Sequence, residues 1–190
     1  MDPSPARMSD VPRLIILTGS RQVGKSTVCA ELVALADKKG YRCGGIVTLA
    51  RDGERQVVDA RTLERRRLTC SSGEGAGVIQ GRFRFSSETL NWAKKVLVRA
   101  TPCDLLIVDE IGPLEVVRGR GWAGALDIVR GGAYALALVV VRPELVATVS
   151  ARLRRLHPQL LTVTPRNRSR LPETLMRMLG ELSQPNDRQS

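Results

Sequence analysis

Apolar residues along this chain come in short uninterrupted runs, separated by longer stretches where they recur every three or four positions. Residues 13–18 (R-L-I-I-L-T) form the first run and stop at Gly19, the pattern of a strand buried on both faces. Residues 26–39 then place Val28, Leu32, Leu35 and Ala36 on one face of a predicted helix that ends at Gly40. Residues 45–49 predict a second strand, and the Asp52-Gly53 turn signal before Val57 and Val58 predicts a β-hairpin. Residues 71–77 (S-S-G-E-G-A-G) read as a flexible stretch.

Helical spacing returns from Ser86 to about Arg99, through Leu90, Ala93, Val96 and Leu97. Residues 105–108 are again strand-like and end in Asp109-Glu110, and a helix is expected over 122–130. The most apolar run is 134–141 (Y-A-L-A-L-V-V-V), followed by Pro143, which suits the first position of a helix. A strand over 160–164 and a helix over 172–182 complete the pattern. Buried strands alternating with helices predict a three-layer α/β/α fold with a mainly parallel central sheet. Residues 13–183 read as one domain, with polar tails at 1–12 and 184–190. Ligands of such sheets gather at the carboxyl ends of the strands, so residues just after strands are the candidates for chemistry.

Residues 19–26 read G-S-R-Q-V-G-K-S, a full match to the phosphate-loop pattern G-x-x-x-x-G-K-[ST]. Gly19 and Gly24 let the backbone wrap closely around phosphate, with the amides of Ser20, Arg21, Gln22 and Val23 between them as donors. The helix that follows adds its positive end. Lys25 is expected on the β- and γ-phosphates, the Ser26 hydroxyl on Mg²⁺, and the Thr27 amide near the α-phosphate. The match lies between a buried strand and an amphipathic helix, which is the context that gives it meaning. The implied ligand is a nucleoside triphosphate such as ATP or GTP.

Asp109, at the end of a buried strand, is the candidate to hold Mg²⁺ through water. Glu110 is placed to orient or deprotonate an attacking water. Ile111 and Gly112 extend this nucleotide-binding stretch. Arg142 follows the most apolar strand, where a guanidinium faces the ligand crevice and can stabilise charge on the γ-phosphoryl group.

With these residues in place, the chain resembles a family of small RecA-like, single-domain P-loop nucleoside-triphosphatases, described from thermophiles and including a human cancer-related relative. Residues 109–115 (D-E-I-G-P-L-E) are similar to its D-E-I-G-x-x-E stretch. Gly44 to Thr48 with Arg55, Gly81-Arg82-Phe83, and Val163-Thr164 with Asn167-Arg168 match further segments. Ala50 stands where the family has Glu, and Val57-Val58 where it has Gly-Phe. The resemblance implies Mg²⁺-dependent hydrolysis of NTP to NDP, slow and tolerant of the base, with Asn167 and Arg168 on a base-side loop.

A net charge of +11 is the one unusual bulk property, and it comes mainly from arginine: 25 Arg against 5 Lys. Aromatic residues are 3 % of the chain, too few for a base-stacking platform, so nucleic acid is expected to bind weakly if at all. Four scattered cysteines and one histidine give no zinc spacing. No segment reads as a membrane span or a secretory signal, which points to the cytoplasm. Two rival readings remain open on sequence alone. One is a P-loop small-molecule kinase, with residues 65–67 (R-R-R) as part of a lid. The other is a nucleotide-gated adaptor or nucleic-acid switch with little turnover.

Overall fold

The computed structural model describes residues 13–51, 53–70, 77–80, 83–111 and 124–183. The expected tails, Asp52, Gly81, Arg82, most of the 71–77 stretch and 112–123 lie outside the described residues.

Strands β1 (Arg13–Thr18), β2 (Cys43–Arg51), β3 (Glu54–Asp59), β4 (Arg65–Arg67), β7 (Cys103–Ile111), β8 (Tyr134–Val141) and β9 (Gln159–Thr162) form one sheet in the order β4-β3-β2-β7-β8-β1-β9. The run from β2 to β9 is parallel, and β3 and β4 extend it as an antiparallel edge. Strands β5 (Gly77–Gln80) and β6 (Phe83–Ser86) form a separate small antiparallel sheet.

Helices α2 (Ser87–Val98), α3 (Ala125–Gly131) and α4 (Val146–Arg152) cover one face, while α1 (Lys25–Lys38) and α5 (Leu171–Ser183) cover the other. Strand alternation supplies both cores. Val108 and Val139 meet Trp92 and Val96 on the α2 face, while Ile107 and Leu138 meet Leu32 and Leu179 on the α1 face. Ser86 caps α2 by accepting the Thr89 N–H at 3.2 Å.

Four expectations change. Residues 65–67 are an edge strand paired to β3 rather than a lid, with the Arg66 guanidinium 4.7 Å from the centroid of the Trp92 ring. Gly77 belongs to β5 rather than to the flexible stretch. Pro143 opens a single 3-10 turn (Pro143–Leu145), and the α-helix starts only at Val146. The last strand ends at Thr162, although the Val163 N–H still donates to the Thr18 carbonyl at 2.7 Å and carries the β1 ladder one bond further. The expected helix over 122–130 is seen from Ala125.

Candidate functional site

Thr18 ends β1, and the chain passes at once into a loop with three residues at positive φ: Gly19 (+142°), Gln22 (+61°) and Gly24 (+107°). Such left-handed positions turn successive N–H groups towards one centre and make an anion-binding nest. Both glycines matter for this, since L side chains rarely adopt these angles. Val23 is buried and anchors the loop from below. Gly24 is the N-cap of α1, no side chain caps that terminus, and no acidic residue lies in its first turn. A helix terminus of this kind can receive an external anion. Lys25 folds back across the loop mouth, its Nζ donating to the Gly19 carbonyl at 2.7 Å and the Ser20 carbonyl at 2.8 Å. Ser20 and Arg21 are exposed, Ser26 is half-buried, and Thr27 is exposed on the first turn of α1.

Asp109 lies on β7 and is 1 % exposed. Its Oδ2 accepts the backbone N–H of Thr48, on the neighbouring β2, at 2.9 Å. It faces α1, and its negative charge helps burial push the Cys29 thiol well above its ordinary value. The carboxylate thus sits beneath the helix that opens at the phosphate loop. The pairing of β7 with β8 slips between Val108 and Ile111, so the Asp109-Glu110 step forms a β-bulge. Bulges of this kind re-aim side chains beside functional sites. The side chains of Glu110 and Ile111 and the whole of Gly112 lie outside the described residues.

Between the phosphate-loop strand β1 and the Asp109 strand β7 runs β8. It ends at Val141, so the half-buried Arg142 emerges from the strand between the loop and the carboxylate.

Across the site, the turn between β9 and α5 closes on the loop from the other side. Asn167 builds this turn. Its Oδ1 accepts the Thr164 N–H at 2.8 Å, its Nδ2 donates to the Thr162 carbonyl at 2.9 Å, and its own N–H reaches the Thr164 hydroxyl at 3.3 Å. Both ends of the phosphate loop touch the turn. A Cβ on Gly19 would stand 2.5 Å from the Val163 carbonyl oxygen, and one on Gly24 3.4 Å from Cδ of Arg168. The Arg168 guanidinium also donates to the Val23 carbonyl at 3.5 Å.

Sequence reading named Asp109 and Arg168 but missed what holds them. The Thr48 amide, the β7 bulge and the Val23 carbonyl act through backbone, which no side-chain motif records. No His, Cys, Asp or Glu cluster among the described residues forms a metal cage, and no helix there is long and apolar enough to cross a membrane.

Residues 14–176 match the family model described as NTPase. The nucleoside-triphosphatase THEP1 of Methanosarcina acetivorans is 37 % identical over 108 residues, 54 % of this chain; the match spans 62 % of that relative's length. The THEP1 of Thermofilum pendens is 28 % identical over 173 residues, covering 88 % of this chain and 95 % of the relative. In structure, the chain resembles a human cancer-related nucleoside triphosphatase with a TM-score of 0.64 at 20 % identity, covering 91 % of this chain and 100 % of that one. It also resembles THEP1 from the hyperthermophile Aquifex aeolicus, with a TM-score of 0.62 at 22 % identity, covering 87 % and 98 %.

Proposed function

The chain belongs to the NTPase family, whose model spans residues 14–176, and on that premise we propose that it hydrolyses the γ-phosphate of nucleoside triphosphates with Mg²⁺ and broad tolerance of the base. The observation that bears most weight is the Gly19 to Ser26 loop, open at an uncapped helix terminus and paired with the buried Asp109. The similar protein THEP1 of Methanosarcina acetivorans is a nucleoside-triphosphatase, which favours the same activity here.

The donor set fits Mg²⁺. This ion keeps several waters and takes one or two protein oxygens plus substrate phosphates rather than an all-protein cage. Ser26 and Asp109 offer such oxygens. The buried hydroxyls of Thr18 and Thr48 find no hydrogen-bond partner among the described residues, adding polar capacity near these strand ends. When bound, the ion neutralises charge on the β- and γ-phosphate oxygens.

The chain's own residues do the rest. Loop amides and the α1 terminus bind the phosphates, and Lys25 swings from its carbonyl contacts onto the β/γ oxygens. Glu110 accepts a proton from water as the water oxygen bonds to the γ-phosphorus. The bond from that phosphorus to the β-bridging oxygen breaks, and NDP leaves. Arg142, just past the end of the strand between loop and carboxylate, stabilises charge on the transferring group. Residues 13–183 act as one domain, and the cytoplasm is the expected compartment.

The kinase reading loses its lid, because Arg65–Arg67 is part of the main sheet. Five arginines are paired with carboxylates. Arg66 pairs with Glu64 and Glu88, Arg67 with Glu54, Arg99 with Asp59, Arg42 with Asp104, and Arg130 with Asp127. Weak nucleic-acid binding is the reading that the scarcity of aromatic residues, 3 % of the chain, favours. Phosphate release from ATP, GTP, CTP and UTP, with Mg²⁺ and with a chelator, tests the proposal. Metal-dependent release from all four is expected. No release, or release that requires an added phosphoryl acceptor, overturns it.

A further inference from the structure

The main sheet has two edges, and the chain treats them differently. Past Arg67 the β4 edge is bonded to β6: the Ser86 N–H donates to the Leu68 carbonyl at 2.8 Å, and the Cys70 N–H to the Arg84 carbonyl at 2.9 Å. The opposite edge is β9, which pairs with β1 alone among the described strands. Amides of one strand turn to the same neighbour at every second residue. The Val163 N–H donates to the Thr18 carbonyl, so Gln159 and Leu161 also face β1, while Leu160 and Thr162 face outward. Asn167 Nδ2 takes the outward Thr162 carbonyl at 2.9 Å. The N–H and carbonyl of Leu160 and the N–H of Thr162 meet no other described group. Beside them the Leu160 side chain is 58 % exposed.

Such an edge is a template for another strand, and the charge around it selects which one. Residues 152–170 hold six arginines and no Asp or Glu. Arg154 and Arg155, on a 3-10 turn before β9, and Arg166 and Arg170, on the turn after it, are exposed. None of these four forms an ion pair among the described residues, whereas Arg66 and Arg67 at the other edge are paired with carboxylates. A second copy of this chain fits poorly. Two β9 strands laid side by side bring arginine against arginine in either direction, and such like-charge juxtaposition is costly.

We propose that β9 is a docking edge for an extended acidic segment of a partner protein, which adds a strand to the sheet. Its backbone bonds the outward groups of Leu160 and Thr162, an apolar side chain covers Leu160, and carboxylates at its ends pair with the four arginines. In this mode of recognition main-chain bonds give affinity and side chains give specificity. A nucleic acid offers the negative charge but no row of amides and carbonyls. The inference stands independently of the hydrolysis reading.

A short labelled peptide, with paired glutamates at each end and alternating valine and threonine between, tests it by fluorescence anisotropy on the intact chain. At low salt it should bind at least about tenfold more tightly than the same peptide with lysine for glutamate. Hydrogen exchange at the Leu160 and Thr162 amides should slow by about tenfold or more at saturation. N-methylation of every central peptide residue, which removes the backbone donors and keeps the charge, should abolish binding. The double variant Arg154→Glu/Arg155→Glu should weaken the acidic peptide by about tenfold, with melting temperature and phosphate release as in wild type. Equal affinity for the acidic and lysine peptides, binding that survives N-methylation, or unchanged exchange at Leu160 and Thr162 would overturn the proposal. So would a single-stranded oligodeoxynucleotide that binds as tightly as the acidic peptide and is weakened equally by the charge reversal, since the arginines would then serve nucleic acid. Sedimentation as a dimer that dissociates in Leu160→Asp would place a second copy on the edge and overturn it as well.

Discussion

Replacing Gly19 by alanine tests whether the phosphate loop is clamped by the β9–α5 turn as the structure shows. At φ +142° an added Cβ is strained whatever space surrounds it, at about 1–3 kcal/mol. It would also stand 2.5 Å from the Val163 carbonyl oxygen, a backbone atom tied down by the Val163 N–H to Thr18 bond. Forcing that backbone aside costs about a further 1–3 kcal/mol. Together these predict a loss of about 2–6 kcal/mol, and at ~2–4 °C per kcal/mol for a domain of this size the melting temperature falls by roughly 4–24 °C. Gly24→Ala is the internal control. Its φ is +107°, but the Cβ would meet only the Arg168 stem at 3.4 Å. A flexible side chain can step aside, so the strain acts alone and the fall should be about half as large. Thermal melts followed by circular dichroism, without nucleotide, measure both. A Gly19→Ala melting temperature within about 2 °C of wild type would refute the clamp, and so would equal falls for the two variants.

Lys25→Ala should abolish triphosphate binding in titration calorimetry and weaken diphosphate less, since the lysine serves the β/γ position. Glu110→Gln should retain nucleotide affinity and lower phosphate release by about 10²–10⁴-fold; a fall below tenfold demotes Glu110 to a structural residue. Asp109→Asn should raise the Mg²⁺ concentration needed for half-maximal activity by about 10–100-fold, the usual effect of altering a group that orients a metal's ligands. Burial holds the Cys43 thiol up at about 12 and that of Cys103 at about 11, so alkylation of native protein at pH 8, read by mass spectrometry, should mark the half-buried Cys70 first. The Arg42 hydrogen bond lowers the Asp104 carboxyl below its ordinary value. Its stabilisation is thus present at neutral pH and lost as pH falls through the lowered folded value, and the stability gap between wild type and Asp104→Asn should close in acid.

How much was legible from residues alone follows the physics of each element. β1 and β8 were read with their observed ends, because strands buried on both faces are written as unbroken apolar runs. The phosphate loop was legible because backbone curvature demands glycine at fixed spacing. The strand over Arg65–Arg67 was hidden, since an edge strand pairs through backbone and its arginines show no apolar alternation. The same holds for Asp59, a carboxylate buried to 1 % and satisfied by the Arg61 N–H and the Arg99 guanidinium. Its partners lie in other elements, and nothing around Asp59 in sequence announces them. Pro143 signalled a helix start correctly in kind, but one 3-10 turn intervenes before α4. Arg142 was chosen for its place after a strand; that this strand runs between loop and carboxylate is a fact of topology that no local pattern contains.

The position of β1 has a consequence for synthesis. It is the first strand of the sheet to leave the ribosome, yet its neighbours on both sides, β8 and β9, come from the second half of the chain. A nascent chain that has emerged only as far as β7 has a complete phosphate-loop sequence and no partner for the strand that supports it. Contacts across so many residues form late and slowly, and Val163 and Arg168, which steady the loop, arrive later still. Competence to grip a nucleotide is therefore acquired at the end of translation, and a growing chain stalled before β9 should emerge unable to hold the ligand its earliest residues encode.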